Sequence, residues 1–124
     1  MTTNHILLVD DNQDIRDVFG MLLEDMLSSL GYTVSIECAS SGEEALEKVQ
    51  RQRYDIVLMD TQMGGMNGYA ACMQMKERNE DQVVIGMSAD ELYREQWMHA
   101  RADAFIWKGK FSAVNKMLVE YLKK

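Results

Sequence analysis

Five short apolar runs, each followed by an amphipathic stretch, set the strongest limit on what this 124-residue chain can fold into. The runs are residues 5–9 (HILLV), 32–38 (YTVSIEC), 55–59 (DIVLM), 83–87 (VVIGM) and 104–107 (AFIW). Runs this short, bounded by turn residues, read as strands. Between them the spacing changes. Ile15, Val18, Phe19, Leu22, Leu23, Met26, Leu27 and Leu30 recur every three or four residues and predict a helix that Gly31 stops. Ser41 and Glu44 form a capping box that opens a helix running to about residue 53. The glycine-rich turn Gly64-Gly65-Met66-Asn67-Gly68 leads into a helix ending near Asn79. A weaker helical pattern covers Glu91–Arg101, and Val114, Met117, Leu118, Tyr121 and Leu122 mark a terminal helix.

Three of the five strands are apolar nearly throughout, as required when helices cover both faces of a parallel sheet. The expected fold is therefore α/β: a doubly wound, five-stranded parallel sheet in the flavodoxin-like order 2-1-3-4-5, a (βα)5 arrangement. A chain of this length makes one domain, expected to span residues 1–124.

Composition removes several function classes. A hydrophobic content of 47% with 27% charged residues is that of a globular domain, not of a disordered or fibrous one. No apolar run approaches the eighteen or so residues of a membrane helix, and the stretch Ile6–Val9 ends in Asp10-Asp11 rather than in a cleavage site. Thirteen basic against twenty acidic side chains, a net charge of −7, argue against binding nucleic acid through a basic surface. Cys38 and Cys72 are too few for a disulfide framework or a zinc site, so a reduced, cytoplasmic setting is expected. The eleven methionines read as core filling.

In open α/β sheets ligands bind beyond the carboxyl ends of the strands, where the strand order reverses. Strand 1 ends in Asp10-Asp11 and strand 3 in Asp60, and these strands are neighbours in the expected order. Strand 4 ends in Ser88 and strand 5 in Trp107-Lys108, adding a hydroxyl and an ammonium to the same rim. Three close carboxylates raise one another's pKa unless positive charge sits between them. Lys108 supplies one charge, and an all-oxygen site with open positions suits Mg²⁺ for the rest. Taken singly, each residue has a plainer reading. Asp11 or Asn12 caps a helix, Ser88 forms a turn, and Lys108 is a solvated lysine. Four strands delivering the needed residues at one end is not what independent capping predicts. His5 and His99 are too far apart in the chain to suggest a histidine site, and Trp97 and Trp107 read as packing residues, Trp107 also as part of an outer surface.

The runs Leu7-Leu8-Val9-Asp10-Asp11 and Asp55-Ile-Val-Leu-Met-Asp60, the turn Met63-Gly-Gly-Met66-Asn67-Gly68, the pair Ser88-Ala89 and Lys108 together resemble the receiver domain of two-component response regulators. The resemblance covers essentially the whole chain. It implies a phosphorelay switch rather than an enzyme acting on other molecules. Asp60 is then the phosphoacceptor, supplied by a sensor histidine kinase or a histidine phosphotransfer protein. Asp10, Asp11, Asp60 and the backbone carbonyl of Gln62 hold Mg²⁺, and Lys108, Ser88 and the main chain of Thr61 and Ala89 meet the phosphoryl group. Ser88 and Phe105 form the switch, and Gln62 and Asp90 tune the phosphoryl lifetime. Output passes through helix 4, strand 5 and helix 5, to a partner or a second copy, with no direct nucleic-acid or membrane contact. Two departures stand out. The family usually carries proline after the lysine, where this chain has Gly109, so a trans Lys108–Gly109 bond is expected; Gly64 likewise replaces a common proline and implies a looser loop after Asp60. The rival readings are a pseudo-receiver that binds without phosphorylation and an aspartyl-phosphate phosphohydrolase. Gln62, where such hydrolases carry a second acid, weighs against the latter.

Overall fold

A computed structural model describes residues 2–108 and 111–124. Five parallel strands, β1 (Thr3–Val9), β2 (Thr33–Ala39), β3 (Ile56–Asp60), β4 (Val84–Ser88) and β5 (Ala104–Trp107), form one sheet in the order β2-β1-β3-β4-β5. The helices are α1 (Gln13–Ser29), α2 (Gly42–Arg51), α3 (Gly68–Arg78), α4 (Arg94–His99) and α5 (Phe111–Leu118). The expected architecture and strand order are those found. The Lys108–Gly109 bond lies outside the described residues.

The pleat of the central strands divides the core into two layers. Leu7, Val9, Val57 and Met59 point to one face, where Ala45 and Leu46 of α2, Cys72 and Met75 of α3 and Trp97 of α4 cover them. Ile6, Leu8, Ile56, Leu58, Ile85 and Met87 point to the other, under Leu23 and Leu27 of α1 and Val114 and Leu118 of α5. The edge strand β2 is only half-buried along most of its length, which accounts for its alternating sequence.

Three elements differ from their sequence patterns. Helix α1 begins two residues earlier than its apolar stripe because Asn12, not an apolar residue, fixes the start: its side chain accepts from the Ile15 amide. The stripe is also wider than the face the sheet can cover. Gly20, Leu23 and Leu27 are buried, whereas Ile15, Val18, Leu22, Met26 and Leu30 remain 38–53% exposed. The pattern over 91–101 resolves into a one-turn 3₁₀ helix, Glu91–Tyr93, capped by Asp90, followed by the six-residue α4. Finally, α5 ends at Leu118, and Tyr121 and Leu122 pack on the core from the turns beyond it.

Helix α4 is short but anchored by Trp97, which is fully buried. Its ring fits because two residues lack a side chain. A Cβ on Gly86 of β4 would lie 2.2 Å from the indole, and one on Gly68 of α3 would lie 2.8 Å from it and 2.0 Å from the Asp60 carbonyl oxygen. A glycine inside a strand marks such a close approach.

This packing predicts that Gly86→Ala destabilises the protein by about 1–3 kcal/mol in urea unfolding, through overpacking against the indole. In a Trp97→Leu background the same change is expected to cost less. Equal costs in both backgrounds would show that the ring is not the obstacle.

Candidate functional site

The register of the central strands assembles the site. Val9 of β1 stands opposite Met59 of β3, so Asp10 and Asp60 leave the sheet side by side. The Asp10 amide bonds the Ala39 carbonyl, its Oδ1 accepts from the Asn12 amide, and its carbonyl oxygen accepts from Arg16 at 2.7 Å. Asp10 is thus fixed by the cap of α1 and by its second turn. Asp11 is exposed, and one oxygen each from Asp10, Asp11 and Asp60 lie within 4.8 Å of one another.

Lys108 reaches this cluster from the end of β5, where its amide donates to the Ser88 carbonyl at 2.8 Å. Its Nζ lies 2.7 Å from Asp10 Oδ2 and 3.0 Å from Asp60 Oδ1. Asp10 is only 2% exposed, so the ammonium partners a carboxylate with almost no access to water. Burial raises the Asp60 pKa above its ordinary value; Lys108 opposes that rise, the Asp10 charge adds to it, and the Thr61 amide lowers it by hydrogen bonding. For Lys108, burial alone favours the neutral amine, but the hydrogen bond to Asp10 and the charges of Asp60 and Asp10 outweigh it and raise the pKa.

The other residues expected at the site occupy distinct places. Ser88 is buried at the end of β4, and its Oγ accepts from the Asp90 amide at 3.0 Å. Ala89 is exposed, and its carbonyl accepts from Trp107 Nε1 at 3.0 Å. Asp90 points its carboxylate at the Leu92 amide, as the cap of the 3₁₀ turn, rather than toward Asp60. Gln62 is exposed, and its side-chain amide donates to the Tyr93 hydroxyl. Phe105 is 5% exposed; its ring already lies inward, and the Arg94 guanidinium sits 5.0 Å from its centroid. The cluster of carboxylates with Lys108 is therefore one unit, while Phe105 belongs to the packing beneath α4.

Sequence reasoning passed over how α4 supports the site. The Thr61 hydroxyl donates to the Met87 carbonyl at 2.6 Å and accepts from Trp97 Nε1 at 2.8 Å. Trp97 thus bonds the residue next to Asp60, beyond its role in packing. The signal was present in Gly86, a lone glycine within an apolar strand.

Among the described residues, three carboxylates against one ammonium leave an excess of negative charge among hard oxygen donors, and exposed Asp11 leaves the outer side open. That donor set fits a hard divalent cation such as Mg²⁺.

The electrostatics generate a stability prediction. Asp60 holds its proton more tightly folded than unfolded, so stability falls as pH rises from 3.8 through its raised folded value. Asp60→Asn removes that penalty. Without divalent cations, its melting midpoint at neutral pH should exceed the wild type's. The gap should close as pH is lowered to 3.8; a wild type that melts at the same temperature as the variant at neutral pH would contradict the assignment.

Comparison with known proteins agrees with this geometry. The family model described as "Response regulator receiver domain" matches residues 6–118. The transcriptional regulatory protein ResD of Bacillus subtilis (strain 168) is 32% identical over 104 residues, covering 83% of this chain and 41% of that protein. The response regulator MprA of Mycobacterium leprae is 33% identical over 105 residues, covering 83% of this chain and 43% of that protein. The chain thus spans less than half the length of these relatives. Among solved structures, response regulator TrrA from Thermotoga maritima, in complex with Mg²⁺-BeF, superposes with a TM-score of 0.81 at 31% identity, covering 96% of this chain and 99% of that one. The receiver domain of the sensor histidine kinase PA1611 from Pseudomonas aeruginosa, with magnesium coordinated in its active-site cleft, gives 0.73 at 29%, covering 97% and 98%. A sheet in the order 2-1-3-4-5, an acidic cluster at its switch point and a family match over nearly the whole length make this chain a member of the response regulator receiver domain family of two-component systems.

Proposed function

We propose that the chain is a single receiver domain, residues 1–124, that accepts a phosphoryl group on Asp60 in a Mg²⁺-dependent reaction and works in the cytoplasm as a phosphorelay switch. The observation that carries this reading is the Lys108 ammonium held between Asp10 and Asp60. It pairs both carboxylates at the site, and it stands ready to follow negative charge from Asp60 to an incoming phosphoryl group.

In the proposed reaction an Asp60 carboxylate oxygen attacks phosphorus. The phosphorus–nitrogen bond of a phosphohistidine, or the phosphorus–oxygen bond of an acyl phosphate, breaks with its electron pair on the leaving group. Asp10, Asp11, Asp60 and the Gln62 main-chain carbonyl would hold Mg²⁺, which when bound would neutralise the phosphoryl oxygens. Lys108 shifts from the Asp60 carboxylate to a phosphoryl oxygen and retains Asp10. Ser88 releases the Asp90 amide and turns its hydroxyl to the phosphoryl group, and the Thr61 and Ala89 amides donate to it.

The donor is a sensor histidine kinase or a histidine phosphotransfer protein. The exposed apolar side of α1 starts at Ile15, one turn from Asp11, and offers it a surface beside the site. Output leaves through α4, β5 and α5, where Glu91, Arg94, Phe105, Trp107 and Met117 line a cleft of about 380 Å³. There the phosphoryl group favours one arrangement only as far as it binds that arrangement better. With Phe105 already inward, the switch acts by fixing an existing arrangement rather than by driving the ring in. The intact set of Asp10, Asp11, Asp60 and Lys108 supports a phosphoacceptor over a pseudo-receiver, and Gln62 in place of an acid supports it over a phosphohydrolase.

Intact mass after incubation with acetyl phosphate tests the proposal. A single phosphoryl adduct is expected with Mg²⁺, none with a chelator and none with Asp60→Asn. Neither adduct nor phosphate release from the wild type with Mg²⁺ would overturn the reading. Lys108→Met is expected to slow adduct formation by at least tenfold, because its charge is the fixed counterpart of the transferred group.

A further inference from the structure

Asp11 is exposed, yet one of its oxygens is held. The main-chain amide of Gly64, in the loop between β3 and α3, donates to Asp11 Oδ2 at 3.3 Å. The two residues lie 53 positions apart, so the bond joins the turn after β1 to the loop after β3.

The donor is fixed by its surroundings. The Gly68 amide closes the base of the loop on the Thr61 carbonyl at 2.8 Å, and the side chain of Met63, directly before Gly64, is buried. Gly64 itself is exposed, and a Cβ built on it would meet nothing within 4 Å. Its neighbour Gly65, not Gly64, takes the positive φ of the turn, +83°. Position 64 therefore needs neither the small size of glycine nor its left-handed freedom. What it contributes is an N–H, which a proline at this position would lack.

The geometry of the acceptor decides what the bond does. With the Gly64 bond in place, an oxygen of Asp11 lies within 4.8 Å of an oxygen of Asp10 and of one of Asp60. The held side chain is thus turned toward the cluster rather than drawn away from it. A solvated aspartate without a partner spreads over its staggered rotamers and gives up that freedom when it binds an ion. A hydrogen bond that selects the binding rotamer beforehand lessens the loss, as outer partners of ligating carboxylates do. A carboxylate has about four lone-pair sites on its two oxygens, so an amide and a cation can share it.

We propose that Gly64 is a positioning residue for the cation: its amide orients Asp11 toward Asp10 and Asp60 and thereby tightens the binding of Mg²⁺. The inference rests on the Mg²⁺ site of the reading above. Gly64 acts through Asp11 and is not itself a ligand. By reciprocity, the loop that carries the Gln62 carbonyl is held more firmly when the site is filled.

Gly64→Ala keeps the N–H and Gly64→Pro removes it, while the space at the Cβ is open to both. Mg²⁺ binding by the wild type and the two variants is measured by titration calorimetry, with melting midpoints taken without Mg²⁺. Gly64→Ala is expected to bind as the wild type does, and Gly64→Pro about three- to tenfold more weakly, the range one hydrogen bond accounts for. Equal or tighter binding by Gly64→Pro, or the same loss in Gly64→Ala, overturns the proposal and leaves the ion site standing. The bond is also read without the proline variant, from the temperature dependence of the Gly64 amide proton shift. That slope is expected to be shallower in the wild type than in Asp11→Ala, and equal slopes overturn the proposal. A wild type that binds no Mg²⁺ overturns both the proposal and the Mg²⁺-dependent reading.

Discussion

The site depends on one ammonium group placed between two carboxylates. Asp10 is almost without water, and a carboxylate in that position is tolerated only when paired. Lys108 provides the pairing from the far side of the sheet, ninety-eight positions along the chain, so the interaction exists only once β1, β3, β4 and β5 are all in register. Fold and site are thereby one cooperative object. A shift of one residue in β5 would withdraw the ammonium and leave two buried or half-buried negative charges facing each other. The Lys108 amide bond to the Ser88 carbonyl opposes that shift, and the same carbonyl belongs to a residue that borders the site.

A second constraint comes from size rather than charge. Trp97 is the largest fully buried side chain, carried on a helix of only six residues. Too short to be stable alone, α4 is held where its indole enters the space above Gly86 and beside Gly68. Because the indole nitrogen bonds Thr61, the same insertion fixes the main chain that follows Asp60. Helix α4 and the acceptor loop are therefore joined by a direct, buried side-chain bond. On the proposed reading this is a short mechanical path between phosphoryl chemistry and the output face, and interiors packed this closely transmit small displacements rather than absorbing them.

How much of this was legible in the sequence follows from the range of each interaction. The central strands announced themselves as unbroken apolar runs because both their faces are covered. The carboxylates and Lys108 followed from the rule that such sheets bind ligands at strand ends. What the pattern hid was relational. Helix α1 displays eight apolar positions, yet the curved sheet receives chiefly Leu23 and Leu27, and no local property of Leu22 or Met26 reveals that they face outward. Over 91–101 the periodicity is weak because a 3₁₀ turn interrupts it, an effect set by the Asp90 cap and by where Trp97 must land. Ser88 and Asp90 both stood at the right end of β4, but sequence does not say that they bond each other, Oγ to amide, rather than both face Asp60.

The raised pKa of Asp60 and the charge imbalance around it bear on how a switch of this kind works. A site optimised for stability alone would balance three carboxylates with more than one ammonium, or replace one of them by an amide. Instead the cluster keeps an excess of negative charge in a half-closed pocket, where it costs more than in water. That cost is relieved only by something that brings positive charge or removes negative charge from Asp60. A divalent cation does the first, whereas a phosphoryl group on Asp60 would move the negative charge outward and increase it, so that the cation and Lys108 are needed all the more. The unliganded site thus holds an unfavourable interaction that a bound cation would relax, and the fold supplies the rest of its stability from the two apolar layers that flank the sheet. Separating the two sources of stability lets the site remain poised while the domain remains folded.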